Sequence, residues 1–310
     1  MKFVTFEING RQYPGVMLDD DTILNLASAL EESSRTTSLL TLIQGGDSQL
    51  ERVTDLLQHA KEDVLAAHCV PLASARLCSP IPEPRKNVFC VGRNYREHVS
   101  EAAKARGKEV KVPLHPQYFT KPPTAVIGPY DDFEWDEAVT RNLDYEVELG
   151  VVIGKTGRNI PREAALDHVF GYTVINDLTA RELQRQHDQW FKGKGLDGSC
   201  PIGPWIVDAA SVGNPQDLEV SLYVNGEQRQ HARTDTMIFD VAEIISQLSL
   251  GMTLEPGDII ATGTPSGVGF AMEPPRLLGD GDLVEAEVSK IGRIANRIRR
   301  IPHRQAGQEG

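Results

Sequence analysis

Apolar and polar positions alternate from the start of the chain: Val4, Phe6 and Ile8 precede Asn9-Gly10, and Tyr13 follows. Period two around an Asn-Gly pair predicts a hairpin. Helical spacing takes over in residues 22–30 and 48–67, the latter through Leu50, Val53, Leu56 and Leu57. Pro71, Pro82 and Pro84 then forbid a continuous helix. A boundary is expected near residue 80, dividing a small N-terminal α+β domain (1–80) from a larger one (81–303), with a flexible tail at 304–310.

Beyond that point short strands are separated by glycine and proline turns. Val220, Leu222 and Val224 run into Asn225-Gly226, a second hairpin signal, and Glu255-Pro256-Gly257-Asp258 turns into the apolar strand Ile259-Ile260-Ala261. The clearest helix starts at Asp240, an N-cap with Glu243 three residues on, and stops at Gly251. No period of about 20 to 50 residues repeats, which removes solenoids and propellers.

Composition narrows the class. At 310 residues the chain fits about two domains, and 40% hydrophobic with 25% charged residues describes ordinary globular material rather than a disordered chain. A net charge of −12 argues against nucleic acid or an anionic lipid surface as partner. The basic C-terminal run Lys290, Arg293, Arg297, Arg299, Arg300 and Arg304 is interleaved with Ile291, Ala295, Ile298 and Ile301, which reads as a strand with a solvated face or a dimer edge. The N-terminus carries no apolar signal core and no run approaches a membrane span, so a cytoplasmic protein is expected. Cys69, Cys78, Cys90 and Cys200 form no Cys-x-x-Cys pair and read as reduced thiols.

The most informative stretch is Leu143-Asp144-Tyr145-Glu146-Val147-Glu148-Leu149-Gly150-Val151-Val152-Ile153. As a strand it puts Tyr145, Val147, Leu149, Val151 and Ile153 on one face and Asp144, Glu146 and Glu148 on the other. Same-face carboxylates roughly 6 to 7 Å apart repel by about 0.6 kcal/mol in water but roughly 2.5 kcal/mol at an effective dielectric near 20. A solvated face needs nothing more. A face lining a cleft calls for a hard divalent cation, and oxygen donors favour Mg²⁺ or Mn²⁺ over zinc. Asp177, at the end of a strand over 169–175 and before a helix over 178–184, is either that helix's N-cap or a third ligand. Arg181 and Gln184, three apart, would project from one helical face.

A second constellation is Arg93-Asn94-Tyr95-Arg96-Glu97-His98-Val99-Ser100-Glu101. On a short helix His98 and Glu101 share a face, either as a solvated pair or as a general base with its orienting carboxylate. The polar continuation through Lys104, Arg106, Lys108 and Lys111 suits a lid. Two glycine-rich stretches, 193–199 and 263–269, lack the features of a phosphate loop or dinucleotide fingerprint and read as tight turns or places of close backbone approach.

Together, Val91-Gly92-Arg93-Asn94-Tyr95, Phe119-Thr120-Lys121-Pro122, Asp144 to Leu149, Asn176-Asp177-Leu178-Thr179-Ala180-Arg181, Lys192 to Asp197 and Thr262 to Gly269 resemble the fumarylacetoacetate hydrolase family in order and spacing, over roughly residues 75–300. The resemblance implies an α+β fold, a mixed β-sandwich roll with few helices, a homodimer, and Mg²⁺ or Mn²⁺ in the site. It puts metal carboxylates on Glu146, Glu148 and Asp177, and leaves Asp144 outside the ligand set. The family's lysine falls on Lys194 and its threonine on Thr264. Substrate contacts fall on Arg181 and Gln184, with Arg93, Tyr95 and Lys121 in matching motifs. His98 and Glu101 match the lid dyad of the acylpyruvate hydrolase and oxaloacetate decarboxylase branch. The N-terminal residues resemble the extra domain of members named as hydroxymuconate or heptadienedioate isomerases.

The function this implies is metal-dependent hydrolysis of a C–C bond in a 2,4-dioxo acid. His98, oriented by Glu101, would activate water, and Lys194 would stabilise the oxyanion. The same groups would serve oxaloacetate decarboxylation or isomerisation of a 2-hydroxy-dienedioate. From a different class, a non-catalytic ligand-binding protein would keep the fold without the intact set of site residues.

Overall fold

The computed structural model describes residues 1–30 and 37–303, and the expected tail at 304–310 lies outside them. Strands Lys2–Ile8 and Arg11–Met17 pair antiparallel about Asn9 and Gly10, whose φ values of 52° and 74° are those a tight hairpin requires. The helical expectation for 22–30 is corrected. Thr22–Asn25 is a strand held between Arg11–Met17 and Cys69–Pro71, and only Leu26–Ala29 is helical. Ladder bonds on both sides outweigh the weak preference of so short a segment for helix. The helix expected over 48–67 is split into Asp47–His59 and Glu62–Ala66, and Leu39–Gln44, too short for periodicity to reveal, is also helical.

The later elements match their signals. Glu219–Val224 and Glu227–Arg233 form the second hairpin, Ile259–Ala261 follows its turn, and Asp240 caps helix Val241–Ser249 by accepting the Glu243 N–H. In the basic strand Gly292–Ile301, Ile294 and Ile298 are buried, while Arg293, Arg299 and Arg300 pair with Glu285 and Glu287, Asp132 and Glu137. All four cysteines are free thiols. Among the described residues no helix is long and apolar enough to cross a membrane.

Two large sheets make an α+β sandwich. The central strands of the twelve-stranded sheet run, in spatial order, Lys2–Ile8, Cys200–Asp208, Val169–Asn176, Val147–Ile153, Ile259–Ala261, Val88–Gly92. A five-stranded sheet carries Glu219–Val224, Leu283–Val288 and Gly292–Ile301. Between them Leu149, Val151 and Val174 pack with Val220, Leu222, Ala286 and Ile294. On the opposite face Val152, Ile175 and Ile202 pack with Leu42, Ile43 and Val53 of the N-terminal helices. The N-terminal segment therefore extends the sheet through the pairing of Lys2–Ile8 with Cys200–Asp208 and covers its second face. Every residue of Val147–Ile153 is buried, and so are Asp144 and Glu146 beside it, so the acidic positions are not a solvated face.

Candidate active site and metal centre

Tyr145, Val147, Leu149, Val151 and Ile153 do share the core face. The stretch is nevertheless two strands: Leu143–Asp144 pairs with Thr179–Ala180, and Val147–Ile153 with Val169–Asn176. Side chains satisfy the amides at the interruption. Glu146 N–H donates to Asn176 Oδ1 (3.1 Å) and Val147 N–H to Gln230 Oε1 (3.0 Å), while Asp177 N–H donates to the Glu146 carbonyl (2.8 Å). This break turns Glu146 out of regular pleat geometry. One carboxylate oxygen each from Glu146, Glu148 and Asp177 then lies within 4.8 Å of the others, and all three residues are buried. Asp177 caps nothing: the following helix starts only at Arg181, with Ala180 as its N-cap.

The charges around the trio are unevenly shared. Lys194 Nζ donates to Glu146 (2.8 Å) and Asp177 (2.6 Å), and Lys121 Nζ donates to the other Asp177 oxygen (2.7 Å). Arg181 pairs with Asp144 (2.9 Å) and Glu146 (2.7 Å). Asp144 also accepts the Gly269 and Phe270 N–H groups, so it anchors the glycine turn. Glu148 accepts the Gly263 N–H (2.6 Å) and, among the described residues, has no cationic partner within the 4.0 Å of an ion pair. Burial, reinforced by Asp177 and Glu146, pushes its carboxyl well above the usual range. Burial also acts to raise Glu146, but Lys194 and Arg181 outweigh it and hold that carboxyl low. Three convergent oxygen donors with one unneutralised carboxyl fit a hard divalent cation.

Glu146 fronts a narrow pocket that brings together Arg93, His98, Arg181, Gln184, Lys194 and Thr264. Glu148 and Asp177 lie behind it. His98 Nδ1 is 2.9 Å from Glu101 Oε1, and the second Glu101 oxygen accepts the Gly267 N–H (2.9 Å), which ties lid helix Arg96–Ala105 to the glycine turn. Two expected substrate contacts are placed elsewhere. Lys121 is fully buried and holds Asp177 from behind, and Tyr95 lines a different cavity with His231 and Met237. The sequence reading passed over two pocket walls, Trp190 and Phe270, held Phe119 only as part of a motif, and read Arg106 only as a lid residue. Phe270 directly follows the second glycine stretch, and the guanidinium groups of Arg181 and Arg106 lie 4.5 and 5.2 Å from its ring centre.

The first glycine stretch works by close approach. A Cβ on Gly193 would sit 2.4 Å from the Gln184 nitrogen and 2.6 Å from its Cα, so glycine lets Phe191–Lys194 press against the helix that carries Arg181 and Gln184. Gly193→Ala is expected to cost about 1–3 kcal/mol through overpacking and to weaken ligand binding by separating Lys194 from Gln184. Urea unfolding checks the first effect and calorimetric titration the second.

Residues 87–299 match the family described as fumarylacetoacetate (FAA) hydrolase C-terminal. The chain belongs to the fumarylacetoacetate hydrolase family. This member of the family is 45% identical over 304 residues to oxaloacetate tautomerase YisK of Bacillus subtilis (strain 168), an alignment covering 96% of this chain and 100% of the relative. Its fold superimposes on the fumarylacetoacetate hydrolase of psychrophilic Exiguobacterium antarcticum with a TM-score of 0.80 at 40% identity, covering 97% and 100% of the two chains. The maleylpyruvate hydrolase of Sphingobium sp. SYK-6, solved in complex with manganese(II) and pyruvate, superimposes with a TM-score of 0.73 at 30% identity, covering 97% and 99%. The family's hydrolases and tautomerase thus share this architecture with the present chain, which is an enzyme of the same family.

Proposed function

We propose that the enzyme interconverts the keto and enol forms of a small 2-oxo dicarboxylic acid such as oxaloacetate. The observation that carries the reading is one narrow pocket floored by Glu146 of a buried acid trio and lined by His98 of the His–Glu dyad and by Arg93 and Arg106, which have no acidic partner among the described residues. Full-length similarity to an oxaloacetate tautomerase supports it. Mg²⁺ or Mn²⁺ held by Glu146, Glu148 and Asp177 would supply a Lewis acid for the carboxylate and 2-oxo oxygens.

The chain's own residues account for the proton. The Glu101 carboxylate accepts from Nδ1–H of His98, which leaves Nε2 as the basic nitrogen facing the pocket. Toward the enol, Nε2 takes a proton from C3 and passes it to the 2-oxo oxygen; toward the keto form, it takes the enol hydroxyl proton and passes it to C3. Lys194 and Arg181 stay on the carboxylates and keep the floor of the pocket from repelling an anion. Arg93 and Arg106 have no acidic side chain within 4.0 Å among the described residues. Burial, Arg181 and Arg93 depress the Arg106 pKa, a strain that the far carboxylate of a dicarboxylic acid relieves.

Hydrolysis of an acylpyruvate, the first expectation from the sequence, is the second reading, favoured by the likeness to a maleylpyruvate hydrolase. The test follows decay of enol absorbance in freshly dissolved oxaloacetate, alongside pyruvate release from acetylpyruvate and maleylpyruvate. With Mn²⁺ the enol signal is expected to fall faster than in buffer without matching pyruvate release, and exhaustive chelation returns it to the buffer rate. Pyruvate release from acylpyruvates with no effect on the enol would replace this reading with the hydrolytic one. A homodimer is part of the proposal and is measured by analytical ultracentrifugation.

A further inference from the structure

Gln230 lies on strand Glu227–Arg233, outside every motif that points to the site, yet it is buried to 1% exposure and reaches two parts of the site at once. Its carboxamide orientation follows from its partners. Val147 N–H donates to one end at 3.0 Å, and a backbone amide only donates, so that end is the oxygen. The other end is the NH₂ group, which donates to Thr264 Oγ1 at 2.8 Å and to the Pro265 carbonyl at 3.0 Å. Both amide hydrogens and the oxygen are engaged.

The consequence falls on Thr264. Its oxygen already accepts from Gln230, and among the described residues its own hydroxyl hydrogen has no acceptor. Thr264 is 3% exposed, and the space it lines is the pocket shared with Glu146, Lys194 and His98. We propose that Gln230 is a positioning residue that fixes Thr264 as a one-way hydrogen-bond donor into the pocket, aimed at a carboxylate or oxo oxygen of the substrate. A freely rotating hydroxyl would divide its time between donating and accepting, and an acceptor turned toward an anion repels it. Through Val147 the same carboxamide also holds the backbone between Glu146 and Glu148, so the donor and the acid trio share one brace.

This rests on the 2-oxo acid reading, and the test separates the two. Binding of pyruvate in saturating Mn²⁺ is measured by calorimetry, without turnover, and Mn²⁺ affinity is measured alone. Gln230→Glu still accepts from Val147 but offers Thr264 an acceptor, which draws the hydroxyl hydrogen out of the pocket. It is expected to weaken pyruvate binding about tenfold with Mn²⁺ affinity unchanged. Thr264→Val is expected to lose a similar factor and Thr264→Ser to retain binding. Combined with Thr264→Val, the Gln230→Glu change is expected to add little, because it acts through the hydroxyl already removed. Gln230→Met, which keeps bulk but neither donates nor accepts, leaves the hydroxyl free to rotate and is expected to lose less binding than Gln230→Glu; it takes that variant's place in the cycle if the glutamate fails to fold. Wild type that does not bind pyruvate overturns the oxo-acid reading and this assignment with it. Wild type that binds, with additive losses in the double variant or equal binding by Gln230→Glu and Gln230→Met, overturns the assignment alone.

Discussion

Asp177→Asn is expected to destabilise the metal-free enzyme by about 3–5 kcal/mol, because it breaks a buried charge pair from one side. Asp177 accepts from two fully or nearly fully buried ammonium groups, Lys121 and Lys194, on separate oxygens. An asparagine turns its NH₂ toward one of them, which leaves Lys194 with Glu146 alone or Lys121 with only the Leu178 and Lys194 carbonyls and no counter-charge. Glu148→Gln should behave in the opposite way. Among the described residues Glu148 has no cationic partner within ion-pair distance, and its charge is disfavoured by burial and by Asp177 and Glu146, so a neutral amide still accepting the Gly263 N–H relieves that repulsion. Its metal-free stability is expected to equal or exceed that of wild type. Both variants should lose Mn²⁺ binding. Urea unfolding in EDTA and calorimetric Mn²⁺ titration measure the two effects. Equal destabilisation by both changes would show that the charge is not shared in this way, and wild-type Mn²⁺ affinity in either would show that the trio is not the ion's site.

His98→Ala is expected to lower kcat by about 10²- to 10⁴-fold, the range for loss of a general base, while Mn²⁺ affinity stays at the wild-type value. His98 lines the pocket but is not one of the three clustered carboxylates, so chemistry and metal binding separate at this residue. Glu101 fixes the imidazole and also bonds the Gly267 amide, so the lid stays docked through Glu101 when the ring is removed. Steady-state assay of enol decay with paired metal titrations reads the result. Turnover equal to wild type would take the dyad out of the mechanism.

Much of this site is local and therefore legible along the chain. The alternation from Tyr145 to Ile153 places the apolar set on the core face, and the i, i+3 spacings of His98 with Glu101 and Arg181 with Gln184 each produce a side-chain contact. Both Asn-Gly hairpins and the Asp240 cap depend on residues within a few positions of one another. Local signals failed where a neighbour distant in sequence decided the outcome. Thr22–Asn25 is a strand because two others flank it, and Asp177 is not a cap because the chain makes a further bridge, Thr179–Ala180 with Leu143–Asp144, before the helix begins. Lys121 and Tyr95 sit in motifs adjoining the site, but the motif does not say on which side of the backbone a side chain falls. Here one lies behind the acid trio and the other in a separate cavity.

By itself the amino-acid order determined the two hairpins, the buried face of the acidic strand and the dyad, since each is written in residue types at short, fixed separations, whereas the third member of the acid trio, Asp177, was implied only by the family resemblance. Only the tertiary structure decided that the acidic side of that strand is dry, because Lys121, Arg181, Lys194 and the Gly263 turn, all distant in sequence, close over it. It also decided which carboxylate is left without a cation, and that Gln230, 34 residues from Thr264, braces the same pocket. Charge compensation and hydrogen-bond direction depend on what stands within about 3 Å in space, and that distance is set by folding rather than by position along the chain.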